Sequence, residues 1–136
     1  MKVKECITRE VVTVSPDASA MEAFRLMKAY RIRHLPVVKE GVVLGIVTDR
    51  DLRRPQVSDV FKSWDQLYKL SDEFSVEDVM TSPVLTVDAS EDVREAARKL
   101  VSHRIGALPV TDAHHGLYGI FTETDALKAL VSLLVK

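Results

Sequence analysis

The sequence contains an internal repeat, and this repeat limits the folds that are open to the chain. A shift of 73 positions aligns residues 3–39 with residues 76–112, and 13 of the 37 aligned pairs are identical. A shift of 74 positions then aligns residues 45–51 with residues 119–125, with four identical pairs out of seven. Solenoid repeats are shorter and occur in more copies. The chain is therefore predicted to form a pseudo-twofold pair of small halves.

Each half is predicted to begin with a short strand and a helix. The strands are residues 11–14 and 84–87, which are rich in valine and threonine. The residues with capping-box spacing at the two helix starts are Ser19 with Glu22, and Asp92 with Glu95. The apolar positions of the helices are Ala20, Ala23, Phe24 and Met27, and Val93, Ala96, Ala97 and Leu100. Their i, i+3, i+4, i+7 spacing predicts one buried face on each helix.

A hairpin and a second helix complete each half. Turns around Gly41 and at residues 112–116 separate two pairs of apolar runs, which predicts two hairpins. A second helix is predicted to open at Thr48 and at Thr122. The apolar positions of the later helix are Leu127, Leu130, Val131 and Leu134. The predicted fold class is therefore α/β, with two β-α-β-β-α repeats packed as one module, because each half is too small to bury its apolar faces alone.

The repeats divide the chain into three predicted regions. Residues 1–54 form the first repeat, residues 55–75 a helical linker, and residues 76–136 the second repeat. Pro55 is expected to end the second helix of the first repeat. The linker carries an apolar stripe at helical spacing, which we interpret as core or interface packing: Val57, Val60, Phe61, Trp64, Leu67 and Tyr68.

Composition excludes several classes of function. The chain has 19 basic and 20 acidic residues among its 136, a net charge of −1, so it lacks the basic excess of nucleic-acid-binding proteins. No apolar run approaches the ~20 residues that span a bilayer. Cys6 is the single cysteine and cannot form an internal disulfide, so a cytoplasmic protein is expected.

No set of residues predicts an active site or a metal site. The sequence lacks the glycine-rich phosphate motifs, the serine nucleophile motif and the paired Cys/His spacing of zinc sites. His34 and His103 have no evident partners for catalysis, and His114 and His115 fall in a predicted turn. Cys6 is interpreted as a structural residue. The chain is therefore predicted not to be an enzyme.

The repeated pattern Gly-x-x-Thr-x-x-Asp is the one candidate for binding chemistry. It occurs at residues 45–51 and at residues 119–125. A threonine followed three positions later by an aspartate at a helix start is itself a capping box. The same geometry offers free N–H groups and a hydroxyl to a phosphate, and a carboxylate to the hydroxyls of a ribose. Both interpretations, helix capping and nucleotide binding, remain open on spacing alone.

The order of these elements resembles a tandem pair of CBS domains, also called a Bateman module. The resemblance is carried by a strand, a capped helix, Arg-Ile-x-x-Leu-Pro-Val, a hairpin and Gly-Ile-x-Thr-x-x-Asp, all present twice. It covers nearly the whole chain except the linker. The linker and the run Thr-Asp-Arg-Asp-Leu-Arg are similar to the CBS pair of acetoin-utilisation-type proteins.

The resemblance implies two clefts, each drawing on both repeats. Cleft 1 consists of Thr81, Ile105, Gly106 and Ala107, facing Arg31, Thr48, Arg50 and Asp51. Cleft 2 consists of Thr8, Ile32, Arg33 and His34 on the base side, and of His103, Arg104, Thr122 and Asp125 on the ribose and phosphate side. Cleft 1 is predicted to bind more tightly, because cleft 2 has Thr124 where cleft 1 has Arg50.

Two functions follow from the resemblance. The first is a non-catalytic regulatory module that senses AMP, ADP, ATP or S-adenosylmethionine, with no further cofactor, and acts on an effector protein. The second is a structural dimerisation scaffold with empty clefts. In either case the resemblance implies a homodimer, and the net charge and the short apolar runs argue against nucleic acid or a membrane as partner.

Overall fold

The computed structural model describes residues 1–52 and 74–135. A 3-10 helix at Val3–Glu5 comes first. The α-helices are α1 (Ala20–Tyr30), α2 (Asp49–Leu52), α3 (Val76–Val79), α4 (Val93–His103) and α5 (Glu123–Leu134). The strands are β1 (His34–Lys39), β2 (Val42–Thr48), β3 (Val87–Asp88), β4 (Ala107–Thr111) and β5 (Leu117–Thr122). These elements confirm the α/β class with two repeats.

The chain forms two compact units that do not coincide with the two sequence repeats. The first unit combines Met1–Val11 with Leu85–Lys136, and the second unit is Val12–Val84. Residues 1–11, the start of the first repeat, thus lie in the unit formed mainly by the second repeat. Residues 76–84, the start of the second repeat, lie in the unit formed mainly by the first repeat. We call these two stretches the crossing segments. The regions predicted from the sequence, residues 1–54, 55–75 and 76–136, remain a prediction about the repeats.

Equivalent backbone hydrogen bonds hold the crossing segments, residues 1–11 and 76–84, in the two units. In the first unit Val3 N donates to Glu91 O at 2.8 Å, and in the second Val76 N donates to Ala18 O at 2.7 Å. Both valines have no exposed surface. The repeat symmetry of the sequence is therefore kept in the structure, because Val3 and Glu91 correspond to Val76 and Ala18.

The second unit is built on the hairpin of β1 and β2. The strands are antiparallel, and the turn between them is the pair Glu40–Gly41, both with positive φ (52° and 80°). Val14 adds a parallel bridge on one side of the hairpin, and Thr81 adds an antiparallel bridge to Ile46 on the other. The hairpin predicted around Gly41 is confirmed.

The first unit repeats this arrangement with a three-stranded sheet in the order β3-β4-β5. Strand β3 runs parallel to β4, and β4 runs antiparallel to β5. Thr8 forms an antiparallel bridge to Ile120 on the outer side of β5, as Thr81 does on β2. The hairpin predicted around residues 112–116 is confirmed.

The first strand of each half is shorter than predicted. Only Val14 of residues 11–14 pairs with β1, and β3 begins at Val87 rather than at residue 84. Val14 N donates to Pro36 O, and Val38 N donates to Val14 O. The next bond toward the N-terminus would need an N–H at Pro36, which proline lacks, and Pro109 blocks β3 in the same way.

The predicted capping residues are present at the starts of α1 and α4, but within the described residues neither helix has the reciprocal bond of a full capping box. Ser19 caps α1 by accepting from Glu22 N at 3.1 Å. Asp92 caps α4, but its carboxylate accepts from Arg94 N at 2.8 Å, and the side chain of Glu95 pairs with Arg98. The reciprocal box predicted between Asp92 and Glu95 is therefore wrong, because an arginine one turn further along the helix engages the glutamate.

Each unit has its own apolar core. The buried members in the second unit are Val14, Ala20, Met21, Ala23, Met27, Leu35, Val37, Val47, Leu52, Val76 and Val79. Those in the first unit are Val3, Val87, Ala89, Val93, Ala96, Leu100, Leu108, Val110, Phe121 and Ala129. Most of the predicted apolar positions of α1 and α4 are buried, whereas Phe24 and Ala97 are partly buried.

The C-terminal helix α5 leaves its apolar stripe exposed. It buries Asp125 and Ala129, while the leucines and valine predicted as its apolar positions are 51–72% exposed: Leu127, Leu130, Val131 and Leu134. Two other predictions, the end of a helix at Pro55 and the apolar stripe around Trp64, lie outside the described residues.

Candidate functional site

The first Gly-x-x-Thr-x-x-Asp motif places Thr48 and Asp51 in a reciprocal capping pair at the end of β2. Thr48 N donates to Oδ2 of Asp51 at 2.9 Å, and Asp51 N donates to Oγ1 of Thr48 at 3.1 Å. Asp51 is only 4% exposed. The charge-assisted bond from Thr48 N therefore helps to fix the orientation of a buried carboxylate, as a capping box does.

Thr81 joins this pair from a distant part of the sequence. Its hydroxyl donates to Oδ1 of Asp51 at 3.2 Å. Its backbone also bonds to Ile46 in both directions, at 2.8 and 3.1 Å. Three residues assigned to cleft 1, Thr48, Asp51 and Thr81, thus form one cluster in the second unit, which we call the Asp51 half-site.

The residues before β1 lie beside the Asp51 half-site. The carbonyl of Arg33 accepts a hydrogen bond from Asp49 N at 3.1 Å, and His34 is the register partner of Thr48. Ile32 is partly buried, whereas Arg31, Arg33 and Arg50 are exposed. Within this unit the structure brings Arg33 and His34, assigned to cleft 2, next to residues assigned to cleft 1.

Two arginines occupy an unusual backbone conformation at equivalent positions. Arg31 and Arg104 follow the ends of α1 and α4 with φ of 55° and 53°, in the left-handed region. Glycine is the usual residue at this position because a Cβ there costs energy. Arg104 was assigned to the ribose and phosphate side of cleft 2 and Arg31 to cleft 1, and both residues are exposed.

The second motif forms the corresponding cluster in the first unit, which we call the Asp125 half-site. Thr122 N donates to Oδ2 of Asp125 at 2.9 Å, and Asp125 N donates to Oγ1 of Thr122 at 3.2 Å. Here the hydroxyl of Thr122 itself donates to Asp125, at 3.0 Å. Asp125 is 9% exposed. Both aspartates are therefore buried and held by their own motif.

The other predicted residues of the first unit surround the Asp125 half-site. The carbonyl of Gly106 accepts from Glu123 N at 3.0 Å, and Ala107 is the register partner of Thr122. Ile105 is partly buried, and His103 and Arg104 are exposed. Thr8 O accepts from Ile120 N at 3.2 Å. The assignment of all these residues to clefts 1 and 2 stays a prediction.

The two half-sites differ in the hydrogen bonding of the threonine that the crossing segment supplies, Thr81 beside Asp51 and Thr8 beside Asp125. Thr81 donates its hydroxyl to Asp51, whereas the carboxylate bonds of Asp125 within residues 1–52 and 74–135 come from Thr122. The sequence pairs Thr8 with Thr81 as repeat equivalents. Repeat symmetry alone therefore did not predict this difference.

The glycine of each motif has a role that the sequence reasoning missed. A Cβ at Gly45 would lie 2.8 Å from Thr81 O, and one at Gly119 would lie 2.6 Å from Thr8 O. The crossing segment therefore approaches each strand too closely for a side chain. A glycine inside a strand often marks such an approach, and this signal was available in the sequence.

The described part of the chain contains no cluster of three or more His, Cys, Asp or Glu side chains that could hold a metal ion. Cys6 is partly buried, and burial is the main cause that raises the pKa of its thiol. A raised pKa keeps the less reactive thiol form at neutral pH. These observations agree with the structural role predicted for Cys6.

The sequence matches the family model of the CBS domain twice, over residues 3–57 and 76–132. The chain belongs to the CBS domain family. The tandem pair expected from the repeated motifs is thereby confirmed. No helix within residues 1–52 and 74–135 is long and apolar enough to cross a membrane.

Solved structures of CBS pairs are similar to this chain over nearly its full length. AcuB from Vibrio cholerae is 33% identical, with a TM-score of 0.80 over 98% of this chain and 93% of AcuB. CBSX2 from Arabidopsis thaliana, solved with AMP, is 27% identical, with a TM-score of 0.81 over 97% of each chain. The CBS pair of protein MJ0100, solved with 5-methylthioadenosine and S-adenosylmethionine, is 26% identical, with a TM-score of 0.79 over 98% of each chain.

The curated relatives include both small CBS proteins and the CBS regions of enzymes. A CBS domain-containing protein from Dictyostelium discoideum is 33% identical over 97% of this chain and 92% of its own length. Inosine-5'-monophosphate dehydrogenase from Methanocaldococcus jannaschii is 34% identical over 93% of this chain but only 23% of its own length. The chain spans only 23%, 46% and 62% of the length of three of the curated relatives that it matches.

Proposed function

We propose that the chain is a regulatory module that binds an adenine nucleotide or S-adenosylmethionine without catalysis. The proposal is supported by two structural neighbours, one solved with AMP and the other with S-adenosylmethionine and 5-methylthioadenosine. All three molecules contain adenosine, so the ligand class shared by these neighbours is an adenosine derivative.

The observation that carries the proposal is the buried carboxylate of Asp51, fixed by Thr48 and Thr81. A carboxylate is an acceptor-only group with two oxygens, so it suits the two hydroxyls of a ribose. Because Thr48 of the same motif and Thr81, 30 positions along the chain, orient it, little ordering is left to be done when a ligand binds. Asp125 provides the second carboxylate of this kind.

The charges near each half-site favour a ligand with phosphate groups. Arg31 and Arg50 are exposed residues near the Asp51 half-site, and Arg104 follows α4 in the first unit. Guanidinium groups bind phosphate in planar, bidentate geometry. S-Adenosylmethionine has no phosphate, so substituting these arginines separates the two ligand classes. We expect Arg50→Ala to weaken AMP binding and to leave S-adenosylmethionine binding within about twofold.

Ligand binding by such a module acts through a population shift. A ligand that binds one conformation better stabilises it, and the altered surface is then available to an effector protein. No covalent bond is made or broken in this process.

We place the protein in the cytoplasm because its one cysteine provides no internal disulfide.

Thermal unfolding with a ligand panel tests this function. The panel contains AMP, ADP, ATP and S-adenosylmethionine, with GMP as the control for the base. A ligand at 100 times its dissociation constant adds about 2.7 kcal/mol of stability, which corresponds to a rise in Tm of several degrees for a small domain. We expect such a rise with at least one adenine compound. No rise with any of them at millimolar concentration would contradict the proposal.

A second candidate function, a dimerisation scaffold, is favoured by the exposed face of α5. The four apolar side chains predicted to form its stripe are each at least half exposed: Leu127, Leu130, Val131 and Leu134. Their spacing forms one stripe, and monomeric proteins seldom expose contiguous apolar stripes of this kind. The two functions are compatible, since a homodimer could bind ligand in every protomer.

A further inference from the structure

In both units a side chain of the crossing segment donates a hydrogen bond to the neighbouring strand, and we call this contact the fastening of the segment. In the first unit Arg9, directly after Thr8, donates from Nε to the carbonyl of Tyr118 at 3.2 Å. In the second unit Ser82, directly after Thr81, donates from Oγ to the carbonyl of Leu44 at 3.2 Å. Arg9 and Ser82 are repeat equivalents, as are Tyr118 and Leu44. The same fastening position is therefore occupied by two different side chains.

The two fastenings differ in strength. The guanidinium of Arg9 also lies over the ring of Tyr118, with Cζ 3.7 Å from the ring centroid. This adds a cation–π contact to a charge-assisted hydrogen bond. The hydroxyl of Ser82 makes a neutral hydrogen bond, and Leu44 offers no aromatic ring.

The need for fastening also differs between the units. Thr81 is held by two backbone bonds to Ile46 and by its hydroxyl bond to Asp51. Thr8 pairs with Ile120 in an equivalent antiparallel bridge, with Ile120 N donating to Thr8 O at 3.2 Å, but within residues 1–52 and 74–135 the side-chain partner of Asp125 is Thr122 and not Thr8. The stronger fastening thus occurs where the threonine has fewer bonds of its own.

We propose that Arg9 is a positioning residue that holds Thr8 beside the Asp125 half-site through its contacts with Tyr118. This inference rests on the proposed function only for its effect on ligand affinity, because the position of Thr8 can be measured without a ligand. Ser82 has the same place in the second unit, where its removal leaves Thr81 held by its three other bonds.

Amide hydrogen exchange tests the positioning directly. The Ile120 amide donates to Thr8 O and the Ile46 amide donates to Thr81 O, so each reports on one crossing segment. We expect Arg9→Ala to speed exchange at Ile120 about tenfold, the combined loss of a hydrogen bond and an exposed cation–π contact. Exchange at Ile46 should not change. Ser82→Ala should speed exchange at Ile46 by less than about threefold, because Thr81 keeps its other bonds.

Two substitutions at Tyr118 keep the test decisive if Arg9→Ala does not fold. Tyr118→Phe keeps the ring, so exchange at Ile120 should match the unsubstituted protein. Tyr118→Leu introduces the residue of the other repeat, which removes the ring but keeps the carbonyl, and should give an intermediate rate. A general loss of stability would speed hydrogen exchange at both the Ile120 and the Ile46 amide in every variant. Equal exchange at Ile120 in the Arg9→Ala, Tyr118→Leu and unsubstituted proteins would overturn the proposal.

The consequence for binding is measured in an Asp51→Ala background, which isolates the Asp125 half-site. Adding Arg9→Ala should weaken AMP binding about fivefold or more, and adding Ser82→Ala should not. Faster exchange at Ile120 with unchanged AMP affinity would overturn the role of Arg9 in binding. If the unsubstituted protein binds none of the adenine compounds, the proposed function fails, while the exchange rates still decide whether Arg9 positions Thr8.

Discussion

The hydroxyl of Thr81 donates a hydrogen bond to Oδ1 of Asp51 across 30 positions of the chain, at 3.2 Å. Asp51 is buried, and Thr81 lies in the segment that begins the second sequence repeat. The bond therefore connects the carboxylate of one motif with the start of the other repeat. Within the second unit it joins the two parts of the chain that form the Asp51 half-site.

Removing this donor should destabilise the protein. Thr81→Val keeps the shape of the side chain but leaves a buried carboxylate with one partner fewer, which costs about 1–3 kcal/mol. Thr8→Val is the matched control: both threonines are exposed, but the carboxylate bonds of Asp125 in the described residues come from Thr122, so this substitution should change stability by less than about 0.5 kcal/mol. Urea denaturation measures both. Equal losses for the two variants would show that the bond to Asp51 contributes nothing.

The motif glycines should not accept even an alanine. Gly45→Ala and Gly119→Ala place a Cβ against the carbonyl oxygens of Thr81 and Thr8, at 2.8 and 2.6 Å. We expect each to cost about 1–3 kcal/mol, the usual range for overpacking. Gly41→Asn is the control, because Gly41 has a φ of +80° that asparagine tolerates and nothing lies within 4 Å of the added Cβ. Thermal unfolding of all three variants would refute this explanation if Gly41→Asn were the most damaging.

The Asp92 cap gives the stability of α4 a defined dependence on pH. Its bonds with Arg94 lower the pKa of the Asp92 carboxyl to about 2. A carboxyl whose pKa is lower in the folded state stabilises the fold above its unfolded pKa of 3.8, and this contribution is lost as the pH falls through about 2.

The neutral cap Asp92→Ser isolates this contribution. The stability difference between the unsubstituted protein and Asp92→Ser should be largest above about pH 4 and should shrink as the pH approaches 2. Denaturation at a series of pH values measures it, and a titration of the Asp92 carboxyl by NMR gives the pKa itself. A stability difference between the two proteins that is the same at pH 6 and pH 2 would contradict the lowered pKa of the Asp92 carboxyl.

The exposed stripe of α5 should mediate self-association. Leu130→Glu with Val131→Lys places opposite charges in the centre of the stripe and should convert a homodimer into a monomer. Lys128→Glu, on the exposed polar side of the same helix, is the control and should leave the mass unchanged. Light scattering gives the mass of each. A monomeric mass for the unsubstituted protein would remove the dimerisation proposal.

Local patterns in the sequence predicted much of the fold. The capped start of α1, both hairpins and the opening of helices at Thr48 and Thr122 follow from residues within a few positions of one another. The reciprocal bonds of Thr48 with Asp51 and of Thr122 with Asp125 are those of helix capping, one of the two interpretations that the spacing left open. Such contacts are encoded locally, because a capping box is complete within four residues.

Contacts between distant residues do not follow from local patterns. The resemblance placed Thr81 and Asp51 in one cleft, but nothing near Thr81 in the sequence predicts its hydrogen bond to Asp51, and repeat symmetry would have assigned Thr8 the same role. The exchange of residues 1–11 between the repeats depends on backbone bonds such as Val3 to Glu91, which no local pattern announces. The shortened strands were predictable, since Pro36 and Pro109 remove the donors that longer strands would need.

Binding of an adenosine ligand is measured by calorimetric titration of AMP, ADP, ATP and S-adenosylmethionine into the unsubstituted chain, Asp51→Ala and Asp125→Ala. We expect at least one of these compounds to bind to the unsubstituted chain. We expect Asp51→Ala to weaken this binding at least tenfold, or about 1.4 kcal/mol, and Asp125→Ala to weaken it less. Absence of binding by all four compounds at millimolar concentration would contradict the claim that the chain binds an adenosine ligand. Equal or reversed losses in the two variants would contradict the assignment of the tighter site to Asp51.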